Sequence, residues 1–206
     1  MLAMRHHQKT VAGFTLIELM ITLAIGVILM MVAVPSFTTY KKNAELTSAT
    51  NTLLAAINSA RGEAMKQGVN AMVVPTDNGS AWSAGWVVFV DKNRSQTYTS
   101  TDTLVLVQPA PPSYINVTGN GNAALSTPYI MFDSSGYPRS KAASGGGSTG
   151  TAGNLTMTLT RNDTSGNEVI EQTRRIIIAN TGRARTCKPL SSTDSNCAAS
   201  ATSSAN

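Results

Sequence analysis

Charge and hydropathy divide the chain into three stretches. Residues 1–13, MLAMRHHQKTVAG, are short and basic. Residues 14–35, FTLIELMITLAIGVILMMVAVP, are apolar, and no charged residue occurs between Leu19 and Tyr40. A helix of that length can cross ~30 Å of hydrocarbon. Basic residues before it and none immediately after fit an orientation with the N-terminus inside. Apolar positions then return at helical intervals: Leu46, Ala49, Leu53, Ile57, Ala60 and Ala64 are 3, 4, 4, 3 and 4 apart and trace one face. Lys41, Lys42, Glu45, Asn51, Arg61, Glu63 and Lys66 fill the other face, and Gly68 is a C-cap signal. The spacing predicts one helix from about Phe14 to Gln67, ~80 Å long. Pro35 should bend it or open it locally.

From Asn70 the pattern changes to period two and to short β-rich runs. Strands are expected over Ala71–Pro75, Gly85–Asp91, Leu104–Gln108, Tyr114–Thr118, Tyr129–Phe132, Leu155–Thr160 and Val169–Ala179. Turn signals separate them: Asp77-Asn78-Gly79, Pro109 to Pro112, Asn120-Gly121-Asn122, Ser135-Gly136 and Ser165-Gly166-Asn167. Residues 142–153, AASGGGSTGTAG, read as a low-complexity mobile loop. Several short strands after one long helix make an α+β class, with an antiparallel sheet laid on the helix.

Composition adds exclusions. Hydrophobic residues are 42% and charged residues 13% of the 206, which allows a packed core and argues against disorder. The formal net charge is +5; removing residues 1–13 takes away Arg5 and Lys9 and leaves +3. Both histidines, His6 and His7, lie in that first segment, so a chain shortened there has none for a Ser-His-Asp or Cys-His site. No GxGxxG follows a strand and no GxxxxGK[ST] loop occurs. An enzyme is not expected, and neither is a cofactor. Cys187 and Cys197 are the two cysteines. If the body is exported, an oxidising compartment favours a disulfide between them. They are not a CxxC pair, and a metal role is not expected.

One residue in the apolar stretch is out of place. Glu18 would cost about 2.5–3.5 kcal/mol at a helix centre, less near an end, and calls for a partner. An ordinary secretory signal is cut after its apolar stretch; here the candidate junction, Gly13-Phe14, lies before it, so the helix would be kept. Cleavage would free an amine on Phe14, one helical turn from Glu18. Gly13-Phe14-Thr15-Leu16-Ile17-Glu18 resembles the class III signal of type IV pilins and type II secretion pseudopilins, and Pro35 stands where pilin helices usually kink. The resemblance implies cleavage after Gly13 by a prepilin peptidase, N-methylation of Phe14, and a docking role for Glu18 when a subunit joins the filament.

Later segments carry the resemblance further. Gly85-Trp86-Val87-Val88-Phe89-Val90-Asp91, Phe132-Asp133-Ser134-Ser135-Gly136, and Ile176 to Arg185 (IIIANTGRAR) are similar to conserved strings of the GspH/FimT/FimU group. That group comprises minor pilins of type IV pili and the minor pseudopilin of type II secretion. It implies the type IV pilin fold, a long N-terminal helix with a membrane-spanning half, packed on an antiparallel sheet. The expected divisions are a leader over 1–13, an assembly helix over 14–40, its amphipathic continuation over 41–68, a β-rich domain over 69–189 and a polar tail over 190–206. Trp86 and Phe89 can be read as core or as base-stacking residues, and strand aromatics are more often core. Asp91-Lys92-Asn93 resembles a piece of a calcium loop without its remaining ligands, so a surface turn is expected there.

The end of the chain is basic. Arg174, Arg175, Arg183, Arg185 and Lys188 fall between residues 174 and 188 with no acid among them. In an extended segment Arg183 and Arg185 would project to one side, roughly 6.6 Å apart, a geometry suited to phosphates. Gly182 can provide the turn that presents them. In the FimT group the matching G-R-x-R motif is implicated in DNA binding during natural transformation, which by resemblance assigns Gly182, Arg183 and Arg185 to DNA; Arg175 and Lys188 join them on charge alone. The segment can equally be a solvated edge that deters strand aggregation, or a contact with neighbouring minor pilins. Expected partners are other minor and major pilins, the prepilin peptidase, the inner membrane and DNA. Expected locations are the bacterial inner membrane before assembly and the pilus after it. A minor pseudopilin of a type II secretion system is the alternative.

Overall fold

The computed structural model describes residues 13–76, 81–141 and 148–199. The expected turn at 77–79, the leader up to residue 12 and the end of the tail lie outside them. The chain forms two compact units, one up to Lys42 and one from Asn43 onward.

One helix, α1, runs from Leu16 to Gln67 without interruption at Pro35. Thr15 starts it: the Glu18 amide donates to Thr15 Oγ1 at 3.2 Å, a side-chain cap for an otherwise orphaned N–H. Within the first unit residues 14–40 are almost wholly exposed. The hydroxyls of Thr38 and Thr39 donate to the Pro35 carbonyl at 2.9 and 3.2 Å. The helix ends where expected, with the Gly68 amide donating to Ala64 O at 3.0 Å.

In the second unit α1 buries Leu46, Thr50, Leu53, Ala56, Ile57, Ala60 and Ala64. Five of these are on the stripe read from spacing, and Ala49 packs partly buried beside them. Thr50 is tolerated because its hydroxyl donates to Leu46 O at 2.8 Å and so enters the core satisfied.

Ten strands follow: β1 (Ala71–Pro75), β2 (Gly85–Val90), β3 (Thr103–Pro109), β4 (Ile115–Gly119), β5 (Ile130–Phe132), β6 (Pro138–Lys141), β7 (Ser148–Thr151), β8 (Leu155–Arg161), β9 (Thr173–Ile178) and β10 (Ala184–Cys187). They form two antiparallel sheets rather than the single one expected, ordered β3-β2-β1-β5-β6-β7 and β10-β9-β8-β4. Alternation along each strand sends one set of side chains to a shared core. Val73, Trp86, Val88, Ile130 and Phe132 come from the first sheet, and Val117, Met157, Leu159, Ile176 and Ile178 from the second; both sets meet the α1 stripe. The α+β expectation holds.

Two further expectations change. Residues 148–151, expected in a mobile loop, are edge strand β7, registered Arg139↔Thr151 and Ser140↔Gly150. Residues 169–171, expected to open a strand, lie instead in a short helical turn α2 (Glu168–Glu171). There the preceding glycine turn continues as a coil: Val169 N donates to Gly166 O and Gln172 N to Glu168 O, and the ladder begins only at Thr173 opposite Thr160. The Asp91-Lys92-Asn93 segment begins a loop built on its carboxylates. Gln96 N donates to Asp91 Oδ2 at 3.0 Å, and Lys92 N and Thr99 N to Asp102 at 3.1 and 2.8 Å. That loop lies on the outer face of the six-stranded sheet, where Tyr98 meets Phe89 at a ring distance of 5.3 Å. Trp86 and Phe89 are both buried, which places them in cores and not on a base-stacking surface.

Candidate functional site

In the first unit Gly13, Phe14 and Thr15 precede the helix in exposed, non-helical backbone. A β-carbon at Gly13 would meet nothing within 4 Å. The junction read from sequence is therefore an exposed, non-helical segment just ahead of a capped helix. Glu18 lies in the first turn of α1, exposed, where an acid complements the helix dipole.

In the second unit the basic end is organised by two devices, a glycine junction and a disulfide loop. β9 and β10 pair antiparallel through a tight turn, with Ala179 N donating to Arg183 O and Gly182 N to Ala179 O. Gly182 has φ +83 and is buried, as expected of a turn glycine. It also makes a contact that the sequence did not show. A β-carbon there would lie 1.9 Å from the Gly136 carbonyl oxygen and 2.9 Å from Arg61 Nε. Gly136 faces the same guanidinium: its φ is +78, and its β-carbon would lie 3.0 Å from Arg61 Nε and 2.7 Å from Met65 Sδ. Arg61 Nε donates to Gly136 O at 3.0 Å. Helix α1, the turn after β5 and the turn before β10 thus close on one another: a side chain at Gly182 would run into the Gly136 carbonyl, and one at Gly136 would have to displace the Met65 and Arg61 side chains. The turn after β5 is stiffened from within: Asp133 accepts from Ser135 N, Tyr137 N and Arg139 Nε at 2.9, 3.0 and 2.6 Å. Burial pushes the Asp133 carboxyl up, but these donors outweigh it and hold it below the ordinary carboxylate range.

The second device is the Cys187–Cys197 disulfide, with Cα atoms 5.9 Å apart. It brings residues 188–197 back over β9 and β10. Pairing of Cys187 with Arg175 and of Arg185 with Ile177 puts these four side chains on one face. Arg175 donates to the Cys197 carbonyl, and Arg185 Nη2 donates to the Asn196 carbonyl at 2.6 Å. Asp194 folds the loop by accepting from Leu190 N and Asn196 N at 3.1 and 3.0 Å. Those amides and the Arg175 charge hold its carboxyl low, against burial, which pushes it up. Burial pushes Arg175 down, opposed by Asp194; a guanidinium still stays charged near neutrality.

The five basic positions therefore differ. Arg183, immediately after Gly182, is exposed and has no side-chain hydrogen bond or ion pair among the described residues; the same is true of Lys188. Arg185 is half-buried, with one of its amino groups on the loop. Arg175 is turned to the loop and works as its fastener. Arg174 is half-buried and donates to Glu171 O and Thr173 O, both at 2.9 Å. Arg61 was read only as part of a polar helix face. Its place beside Gly136 and Gly182 depends on a contact across 75 residues, for which spacing carries no signal.

Comparison with known proteins follows from this geometry. The family model described as type II transport protein GspH matches residues 49–182, more than half of the chain. The prokaryotic N-terminal methylation motif matches residues 8–34. No curated protein matches the sequence. Among solved structures, the type IV minor pilin FimU of Pseudomonas aeruginosa is 14% identical, over 71% of this chain and 90% of that one, with a TM-score of 0.48. The minor pseudopilin EpsH of the type 2 secretion system of Vibrio cholerae is 10% identical, over 71% of this chain and 99% of that one, with a TM-score of 0.49.

Proposed function

The chain belongs to the GspH family and carries the N-terminal methylation motif, and from that membership we propose that it is a minor subunit of a type IV pilus that also binds DNA without sequence preference. The role as a minor pilin or pseudopilin rests on the family itself. In the proposed pathway prepilin peptidase cuts between Gly13 and Phe14 and Phe14 is methylated. The helix from Phe14 anchors the subunit in the inner membrane with its body outside, and Glu18 guides its transfer into a filament of other pilins. The exposed, capped start of α1 supports an accessible junction, and the exposed apolar run from residue 14 to 40 supports burial by lipid and then by neighbouring subunits.

The DNA reading is carried by Arg183, exposed and without an acidic partner among the described residues, on a turn that Gly182 locks in place. Arg185 and Lys188 follow within five residues, and a guanidinium fork suits phosphate oxygens. Two to four neutralised phosphates give a log–log salt slope of roughly −2 to −4 on duplex DNA. The test is fluorescence anisotropy on a labelled duplex with the full chain in non-ionic detergent, wild type beside Arg183→Gln/Arg185→Gln. Weaker binding and a shallower slope in the double variant support the reading; equal affinity and slope refute it.

The alternative of a type II secretion pseudopilin is favoured by the description of the family itself. Deletion of the gene separates the two: loss of twitching or transformation marks a pilus subunit, and loss of protein secretion with intact pili marks a pseudopilin.

A further inference from the structure

We propose that Arg61 is a phosphate-binding residue that forms, together with Arg183, a two-guanidinium site at the junction of α1 with the turns at Gly136 and Gly182. The inference rests on the DNA reading above and extends it to a residue outside the basic end of the chain.

Arg61 is half-buried, and the carbonyl of Gly136 fixes its Nε at 3.0 Å. That bond uses one of five guanidinium donors. Neither Nη group has an acceptor among the described residues. A guanidinium held through Nε alone keeps its two terminal amino groups as a rigid, pre-oriented pair, the arrangement that meets two oxygens of one phosphate. Asp133, on the Gly136 turn, is engaged by Arg139 and two backbone amides.

The second guanidinium is placed by the backbone. A β-carbon on Gly182 would come within 2.9 Å of Arg61 Nε, so the chain passes directly against Arg61 before it reaches the exposed Arg183. The backbone that carries Arg183 is thus set against Arg61, on an element far away in sequence, by a contact that only glycine permits. Arg175, by contrast, is held by the disulfide loop. The phosphate-binding surface therefore extends from Arg183 toward α1, away from the Arg175 end of β9.

The experiment measures duplex affinity against salt for the full chain in non-ionic detergent, using a random duplex of about 30 base pairs. The variants are Arg61→Gln, Arg61→Lys and Arg183→Gln/Arg185→Gln, each with its melting temperature recorded. Loss of one phosphate contact reduces the slope by about 0.9, which accumulates to about eightfold in affinity between 1 M and 0.1 M salt. Arg61→Gln is expected to show both changes. Arg61→Lys is expected to recover most of the slope while melting lower than wild type, because a lysine restores the charge but not the bond to Gly136. Arg61→Gln binding with wild-type slope and affinity, while Arg183→Gln/Arg185→Gln fails, overturns the role of Arg61 and leaves the DNA reading standing. Equal losses of affinity and melting temperature in Arg61→Gln and Arg61→Lys also overturn it, by reducing Arg61 to a structural strut. A wild-type protein that binds no duplex refutes the DNA reading and this site with it. In that case binding to phosphatidylglycerol vesicles would reassign the exposed cations to lipid headgroups.

Discussion

Replacing Gly182 by alanine tests the junction most directly. The residue sits at φ +83, where an L-residue costs roughly 1–2 kcal/mol. The new β-carbon would lie 1.9 Å from the Gly136 carbonyl oxygen, whereas ordinary contact begins at 3.4 Å. The two turns must separate by about 1.5 Å, the difference between those distances. That movement carries away the acceptor of Arg61 Nε, a hydrogen bond with a net contribution of about 0.5–1.5 kcal/mol. The expected destabilisation is about 1.5–3.5 kcal/mol, which for a body of this size lowers the melting temperature by roughly 3–14 °C. Urea unfolding followed by circular dichroism gives the free energy. Gly150→Ala is the control: a β-carbon there meets nothing within 4 Å, and its effect should stay within about 0.5 kcal/mol. The double variant Gly182→Ala/Arg61→Ala should cost less than the sum of its parts, because both changes remove the same contact. A Gly182→Ala protein within about 0.5 kcal/mol of wild type, or strict additivity in the double variant, would refute the junction as drawn.

Other outcomes are as specific. Gly62 lies exposed in the interior of α1 with open space at its β-carbon, so Gly62→Ala should stabilise the protein by about 0.5–1 kcal/mol in the same unfolding assay. Cys187→Ser/Cys197→Ser opens a loop of ten-residue separation and should cost about 2.5–3 kcal/mol; nuclear magnetic resonance should show the Arg175 and Arg185 side-chain signals shifting as their carbonyl acceptors leave. The Asp133 carboxyl has a folded pKa below its usual 3.8, so its stabilisation is complete above the unfolded pKa and disappears as pH falls through the folded one. Asp133→Asn should therefore be less stable than wild type at pH 7, and the two stability curves should converge as pH falls through the lowered folded pKa. Glu18→Ala should leave membrane insertion intact and reduce incorporation into filaments, read as surface pilin against membrane-bound pilin; wild-type piliation would count against the docking role.

Much of this was legible in the sequence because it is local. The apolar stripe of α1 follows from intervals of three and four. Thr50 escaped because a polar symbol in a core column hides a hydroxyl that bonds its own helix. β6 and β10, PRSK and ARTC, have no apolar alternation. Their neighbours β5 and β9 recruit them, which is a tertiary effect. The division into two sheets depends on strand partners far apart in the chain. Arg61, Gly136 and Gly182 carry separate local signals, a helix face and two turns, and only the fold shows that they are one place.

The helix from Leu16 to Val34 has one more property. Its polar side chains are Glu18 and Thr22, and the Thr22 hydroxyl donates to Leu19 O at 2.9 Å. To an apolar surrounding the rod is thus nearly featureless along its length, with one exception near its tip. Smooth apolar rods slide past one another with little preference for axial position. A single carboxylate breaks that degeneracy, because only one offset between adjacent rods brings it to a cation. In a bundle of such helices Glu18 would act as an index mark, and the repeat distance of the proposed assembly would follow from where that mark finds its counter-charge.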